Sequence, residues 1–94
     1  MTVYIAGKIT GNELYKSHFR LAETGLAAMG YRVLNPATLP EGLKPSDYMS
    51  ICVPMLLAAD VVYFIPGWER SRGANIEHDL AVYCGKRILE GFDV

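Results

Sequence analysis

"DVVYFIPGWERSRGANIEHDLAVYCGKRILEG", residues 60–91, decides the fold. It divides into three parts. Residues 60–67 are a β-branched and aromatic run closed by Pro66-Gly67, the pattern of a buried strand. Residues 72–85 have helical periodicity: positions 77, 80, 81 and 84 share one stripe, which reads Glu, Leu, Ala, Cys, while His78, Asp79 and Val82 lie off it. Residues 86–91 form a further strand. A strand, a helix and a strand in succession call for parallel pairing.

The rest of the chain repeats the pattern. "TVYIAG" (2–7) is a buried strand ended by glycine. Residues 13–30 are a helix with Tyr15, Phe19, Ala22, Leu26 and Met29 on one face and Gly30 just past its end. "YRVLNP" (31–36) is the second strand, and 37–45 is a loop with prolines at 40 and 45. Ser46 and Asp47 mark the start of the next helix, whose apolar face is Tyr48, Ile51, Cys52, Met55, Leu56 and Ala59. Pro54 lies inside it and is expected to kink it or to mark a late restart. The expected fold is α/β: a small doubly wound, flavodoxin- or Rossmann-like parallel sheet of four strands, order 2-1-3-4. Three main helices cover its two faces, in one domain spanning residues 1–94.

Composition narrows the function classes. The 94 residues are 51% hydrophobic and 20% charged, as in an ordinary globular domain, and the net charge is -1. That balance argues against a nucleic-acid binder working by bulk positive charge, though not against a small anionic ligand. So small a domain buries only ~60–65% of its unfolded surface, so a homodimer or higher homo-oligomer is expected. Cys52 and Cys84 lack metal-ligand spacing and read as two buried, reduced thiols. No metal or cofactor is indicated. Met1 leads directly into a strand, without a signal peptide, and no run approaches a membrane span. The expected compartment is the cytoplasm.

In open parallel sheets ligands bind at the carboxyl ends of the strands, near the switch in strand order. That edge receives "GKITGNE" after strand 1, "NPATLP" after strand 2 and "PGWERSRG" after strand 3, together with the amino ends of all three helices. Gly7 and Lys8 lie in a loop that suits a phosphate or is a plain turn; it matches neither dinucleotide nor P-loop fingerprints. "ERSRG" adds Arg70, Ser71 and Arg72, as an anion site or a charged surface loop. Glu77 faces the sheet near this mouth, where a desolvated carboxylate needs partners or a role: it caps N–H groups, pairs with an arginine, or does chemistry. Tyr4, near the middle of strand 1, is either core or a phenol in reach of that carboxylate. Asp47 is a charge favoured by the helix dipole or a second functional carboxylate. Asp60, opening strand 3 at the opposite edge, is a turn or cap residue. His18 and His78 are assigned to surfaces. Trp68 either stacks on a base or packs against its loop.

"VYIAGKITG", "NPA" and "AADVVYFIPGWERSRGANIEHDLA" together resemble a family of small bacterial and phage proteins grouped as a domain of unknown function, DUF4406-like. That family is similar to the nucleoside 2-deoxyribosyltransferase superfamily, which includes 2'-deoxynucleoside 5'-monophosphate N-glycosidases. The resemblance implies a glutamate nucleophile four residues after a loop glycine, matched by Gly73 and Glu77, and an orienting tyrosine on strand 1, matched by Tyr4. It implies a phosphate-contacting serine six residues before the glutamate, matched by Ser71, with Arg72 and the loop of Gly7 helping; in that loop relatives carry a serine and an arginine where this chain has Lys8 and Thr10, and a lysine still binds phosphate as a point charge. Serine at that position favours a monophosphate over a free nucleoside. Many transferases carry an aspartate before strand 3 to protonate the base; the nearest match is Cys52, which cannot do that job, and Asp47 is the candidate for contacting the base or a sugar hydroxyl. The expected partner is therefore a small-molecule nucleoside or nucleotide, with no nucleic acid and no membrane. The alternative is a nucleotide-binding or sensor module of the same fold without turnover.

Overall fold

The computed structural model describes residues 1–91; the last three residues of the expected domain lie outside them. In chain order the elements are β1 (Thr2–Ala6), α1 (Tyr15–Ala28), β2 (Arg32–Leu34), α2 (Pro45–Ala58), β3 (Val61–Phe64), α3 (Arg72–Tyr83) and β4 (Arg87–Glu90). Short 3₁₀ turns at Pro36–Thr38 and Trp68–Arg70 follow β2 and β3. The four strands pair in the order β2-β1-β3-β4, all parallel, as the alternation predicts.

Successive strand residues point to opposite faces, and this sorts the core into two layers. Val3 and Ile5 of β1 join Val61 of β3 beneath α1, packing on Phe19 and Leu26. Tyr4 and Ala6 face the other way with Val62 and Phe64, against Cys52 and Leu56 of α2 and Ala81 of α3. Tyr4 therefore lies on the layer covered by α2 and α3. It is held on the central strand, in register with Leu34 on one side and Val62 on the other.

The helix ends follow local chemistry. Gly30 and Gly85 adopt left-handed φ values of 95° and 70°, just past α1 and α3. There the Tyr31 and Lys86 N–H groups reach back to the Leu26 and Ala81 carbonyls, and the Gly30 and Gly85 N–H groups to Ala27 and Val82. This pairing is the Schellman closure that satisfies orphan carbonyls, and glycine alone adopts it without steric cost. Helix α1 begins later than residue 13 because Asn12 folds a turn, accepting from the Leu14 N–H at 3.1 Å.

Four local expectations are corrected. Helix α2 starts at Pro45, one residue ahead of Ser46 and Asp47: proline is preset for the first helical position and has no N–H to leave unpaired. It then runs as one helix through Pro54, without a restart. Pro54 and Ser50 both lie on the exposed side, where water can take the freed Ser50 carbonyl. Cys84 is not buried: α3 sinks Ala74, Glu77 and Ala81, and Cys84 falls at the exposed C-cap, while Cys52 is buried; both thiols are free. His78 does not lie on an open surface. Its ring stacks on Trp68 with centroids 4.6 Å apart and meets Phe64 edge-on at 5.1 Å.

Asp60 sits at the amino edge, as expected, and its carboxylate accepts from the Thr2 N–H at 3.0 Å. No helix among the described residues is long and apolar enough to cross a membrane.

Candidate functional site

Among the described residues Glu77 is the charged residue that the fold buries. Position 77 comes one turn after Gly73 and one turn before Ala81, and only 6% of Glu77 remains exposed. The Tyr4 hydroxyl donates to Glu77 Oε2 at 2.5 Å, across 73 residues of sequence. Strand alternation and helix periodicity thus converge on a phenol–carboxylate pair.

Among the described residues no backbone N–H reaches the Glu77 carboxylate. The Ser71 hydroxyl oxygen caps α3 by accepting from the Ala74 N–H at 3.1 Å, and the Ser71 carbonyl accepts the first intrahelical bond, from the Asn75 N–H at 3.0 Å. Glu77 keeps Tyr4 alone. Desolvation consequently raises its carboxyl from an ordinary 4.5 to about 7, with the Tyr4 hydrogen bond pulling the other way. Burial, and then the Glu77 charge, hold the Tyr4 phenol well above 10, so it remains a donor. Burial also raises the Cys52 thiol.

The pair lines a cleft of about 80 Å³ at the carboxyl edge of the sheet. Gly7 and Ile9 come from the loop after β1, Pro36 from beyond β2, Tyr48, Met49 and Cys52 from α2, and Gly73 from the start of α3. Glu77 Oε2 is engaged by Tyr4. Oε1 has no partner, yet no described buried side-chain oxygen is left sealed and unpaired. Oε1 is therefore the carboxylate atom open to the cleft. Gly7 is closely packed: a Cβ there would stand 3.2 Å from both the Ile65 Cβ and the Phe19 ring, so a larger residue would push these neighbours by a few tenths of an ångström.

Of the residues named from sequence, Glu77, Tyr4, Gly7 and Gly73 come together at this cleft. Cys52 joins them as a wall residue. Asp47 does not: it is exposed in the first turn of α2, outside the cleft lining. Arg72 is exposed at the first position of α3. Trp68 packs on Phe64 and His78 and lines neither the cleft nor its neighbour. Lys8 turns to a second, larger basin of about 270 Å³, which it shares with Asn12, His18 and Arg70. Sequence reasoning missed Tyr48 and Met49 as walls of the cleft. Their place in the first turns of α2, at the edge where all three helices begin, was the available signal.

A parallel α/β sheet with a buried carboxylate and a buried phenol beside a cleft at its carboxyl edge has the layout in which open-sheet proteins place ligands, and this cleft is the candidate site. The chain belongs to the family described as domain of unknown function DUF4406, whose sequence profile matches residues 1–90. No functionally curated protein and no solved structure matches it.

Proposed function

We propose that the protein cleaves or transfers the N-glycosidic bond of a nucleoside 5'-monophosphate, or of a nucleoside, with Glu77 as nucleophile. The observation that carries this is the Tyr4–Glu77 pair: one carboxylate oxygen fixed by a phenol, the other open to a cleft. In the first step Glu77 Oε1 forms a bond to the anomeric carbon. The carbon–nitrogen bond breaks, and its electron pair leaves with the base, which takes a proton from solvent. Water, or the nitrogen of a second base, then displaces the glycosyl ester and regenerates the carboxylate. Tyr4 serves by orienting the nucleophile and holding it ionised, and the apolar walls exclude bulk water from the ester.

The likeness to nucleoside 2-deoxyribosyltransferases supports this reading through the spacing of Ser71, Gly73 and Glu77 and the position of Tyr4. The decisive assay incubates the protein with a panel of deoxynucleoside 5'-monophosphates and nucleosides and follows free base by chromatography. Base release from at least one substrate, abolished by Glu77→Gln, is expected. No release from any at high enzyme concentration overturns it.

A second reading rests on the cleft lining, where Glu77 is the lone carboxylate and Cys52 stands where an acid for the leaving base is expected. The same site then binds nucleotide without turnover, as a sensor module. Thermal stabilisation by nucleotide with no base released separates it from the first.

A further inference from the structure

We propose that the basin beside the Glu77 cleft is a phosphoryl-binding site built by Lys8, Arg70 and His18. The loop after β1 divides the mouth of the sheet: Gly7 and Ile9 line the Glu77 cleft, and Lys8 between them lines the basin. Arg70 reaches the basin from the 3₁₀ turn after β3, and His18 from the first turn of α1.

The chemistry of the lining is one-sided. No carboxylate among the described residues lines the basin. The ion pair among the described residues joins Lys16 to Glu41, so neither Lys8 nor Arg70 is neutralised by one. Asn12, the remaining polar side chain, has its carbonyl oxygen taken by the Leu14 N–H and donates its amide to the Lys8 carbonyl at 3.1 Å. The same amide lies 3.4 Å from His18 Nδ1. An ammonium, a guanidinium and an imidazole then line one space with no carboxylate among the described residues. The two cations match a tetrahedral oxyanion, with the guanidinium able to bind two oxygens at once.

This differs from the set expected from sequence. Ser71 and Arg72 line neither space, whereas Arg70 of the same loop and His18, assigned from sequence to a surface, line this one. The cleft measures about 80 Å³ and the basin about 270 Å³, and the two share no lining residue. Assigning the phosphoryl group to the substrate rests on the proposed function; the anion site itself does not.

The test titrates the isotopically labelled protein with inorganic phosphate and follows backbone amide shifts, in wild type, Lys8→Gln, Arg70→Gln and Glu77→Gln. Saturable shifts centred on Lys8, Gly11 and Gly67 are expected. Affinity should fall by roughly tenfold in Lys8→Gln and in Arg70→Gln, as loss of one charge-assisted contact implies, and should be unchanged in Glu77→Gln. Shifts centred instead on Ser71 and Arg72, non-saturating shifts spread over the surface, or wild-type affinity in both cation variants overturn the proposal. A parallel titration with a deoxynucleoside 5'-monophosphate identifies the source. Competition with phosphate, together with shifts at Tyr4 and Glu77, marks the group as the substrate's own. Binding of both at once marks a separate phosphate site. Base release with no phosphate binding overturns this inference and leaves the proposed function standing; phosphate binding with no base release does the reverse.

Discussion

The two spaces at the carboxyl edge share the loop after β1 yet are built on opposite principles. The Glu77 cleft is small and walled by Ile9, Pro36, Tyr48 and Met49, and its carboxylate is 6% exposed. The neighbouring basin is larger, and two cations stand in it with water at hand. Depth therefore sets what each charge can do. A carboxylate deprived of water and of helix N–H groups becomes hard to ionise and reactive once ionised. A lysine and an arginine that keep their hydration remain simple attractors for an anion.

Removing the buried charge tests this contrast most severely. Glu77→Gln should lower base release by on the order of a thousandfold or more, since it deletes the attacking atom, and should leave phosphate binding intact. If both losses occur together, the two spaces are one site.

The same variant sharpens the contrast through stability. With its carboxyl raised from 4.5 to about 7, folded Glu77 holds a proton that the unfolded chain has released across that window. Stability is thus fully present below about pH 4.5 and declines as pH rises toward 7 and slightly beyond. About 2.5 pH units at 1.36 kcal/mol each makes the loss ~3 kcal/mol. Urea unfolding at pH 5 and pH 8 should show this decline in wild type and its absence in Glu77→Gln, which should be the more stable protein at pH 8.

Tyr4→Phe comes next. It should cost roughly ten- to a hundredfold in kcat, as loss of one hydrogen bond to a charged group implies. It should also move the acid limb of the pH–rate profile upward from about 7, because the Tyr4 hydrogen bond is what lowers the Glu77 value. An unmoved limb would assign Tyr4 to packing alone. Ser71→Ala should cost about 1 kcal/mol of stability through the lost cap, read as a fall in the urea midpoint. Asp47→Asn should be the mildest, with stability within about 0.5 kcal/mol of wild type and activity unaltered, as suits an exposed side chain away from both spaces.

The sheet order and the Tyr4–Glu77 meeting were legible because both follow from counting. Period two puts Tyr4 on one face of β1, the helical period puts Glu77 on the inner side of α3, and the crossover rule places α3 over that face. What could not be read depends on three-dimensional competition for partners. Whether the Ser71 hydroxyl serves a ligand or the Ala74 N–H is the same sequence either way. Trp68 and His78, ten residues apart, stack because the 3₁₀ turn at 68–70 folds the loop back onto α3. Arg70 and Lys8 converge because the loops after β1 and β3 emerge from adjacent strands. Cys84 shares a stripe with Ala81, but the helix ends there, and burial ends with it.

The placement of Tyr4 bears on how the site survives thermal motion. It belongs to β1, the inner strand flanked by β2 and β3, whose amides should be among the last to exchange with solvent in native conditions. The loops that form the mouth can open and reclose many times while that strand stays shut. The phenol bonded to Glu77 is therefore anchored on the strand expected to open last, so the proposed nucleophile keeps its aim while the mouth moves.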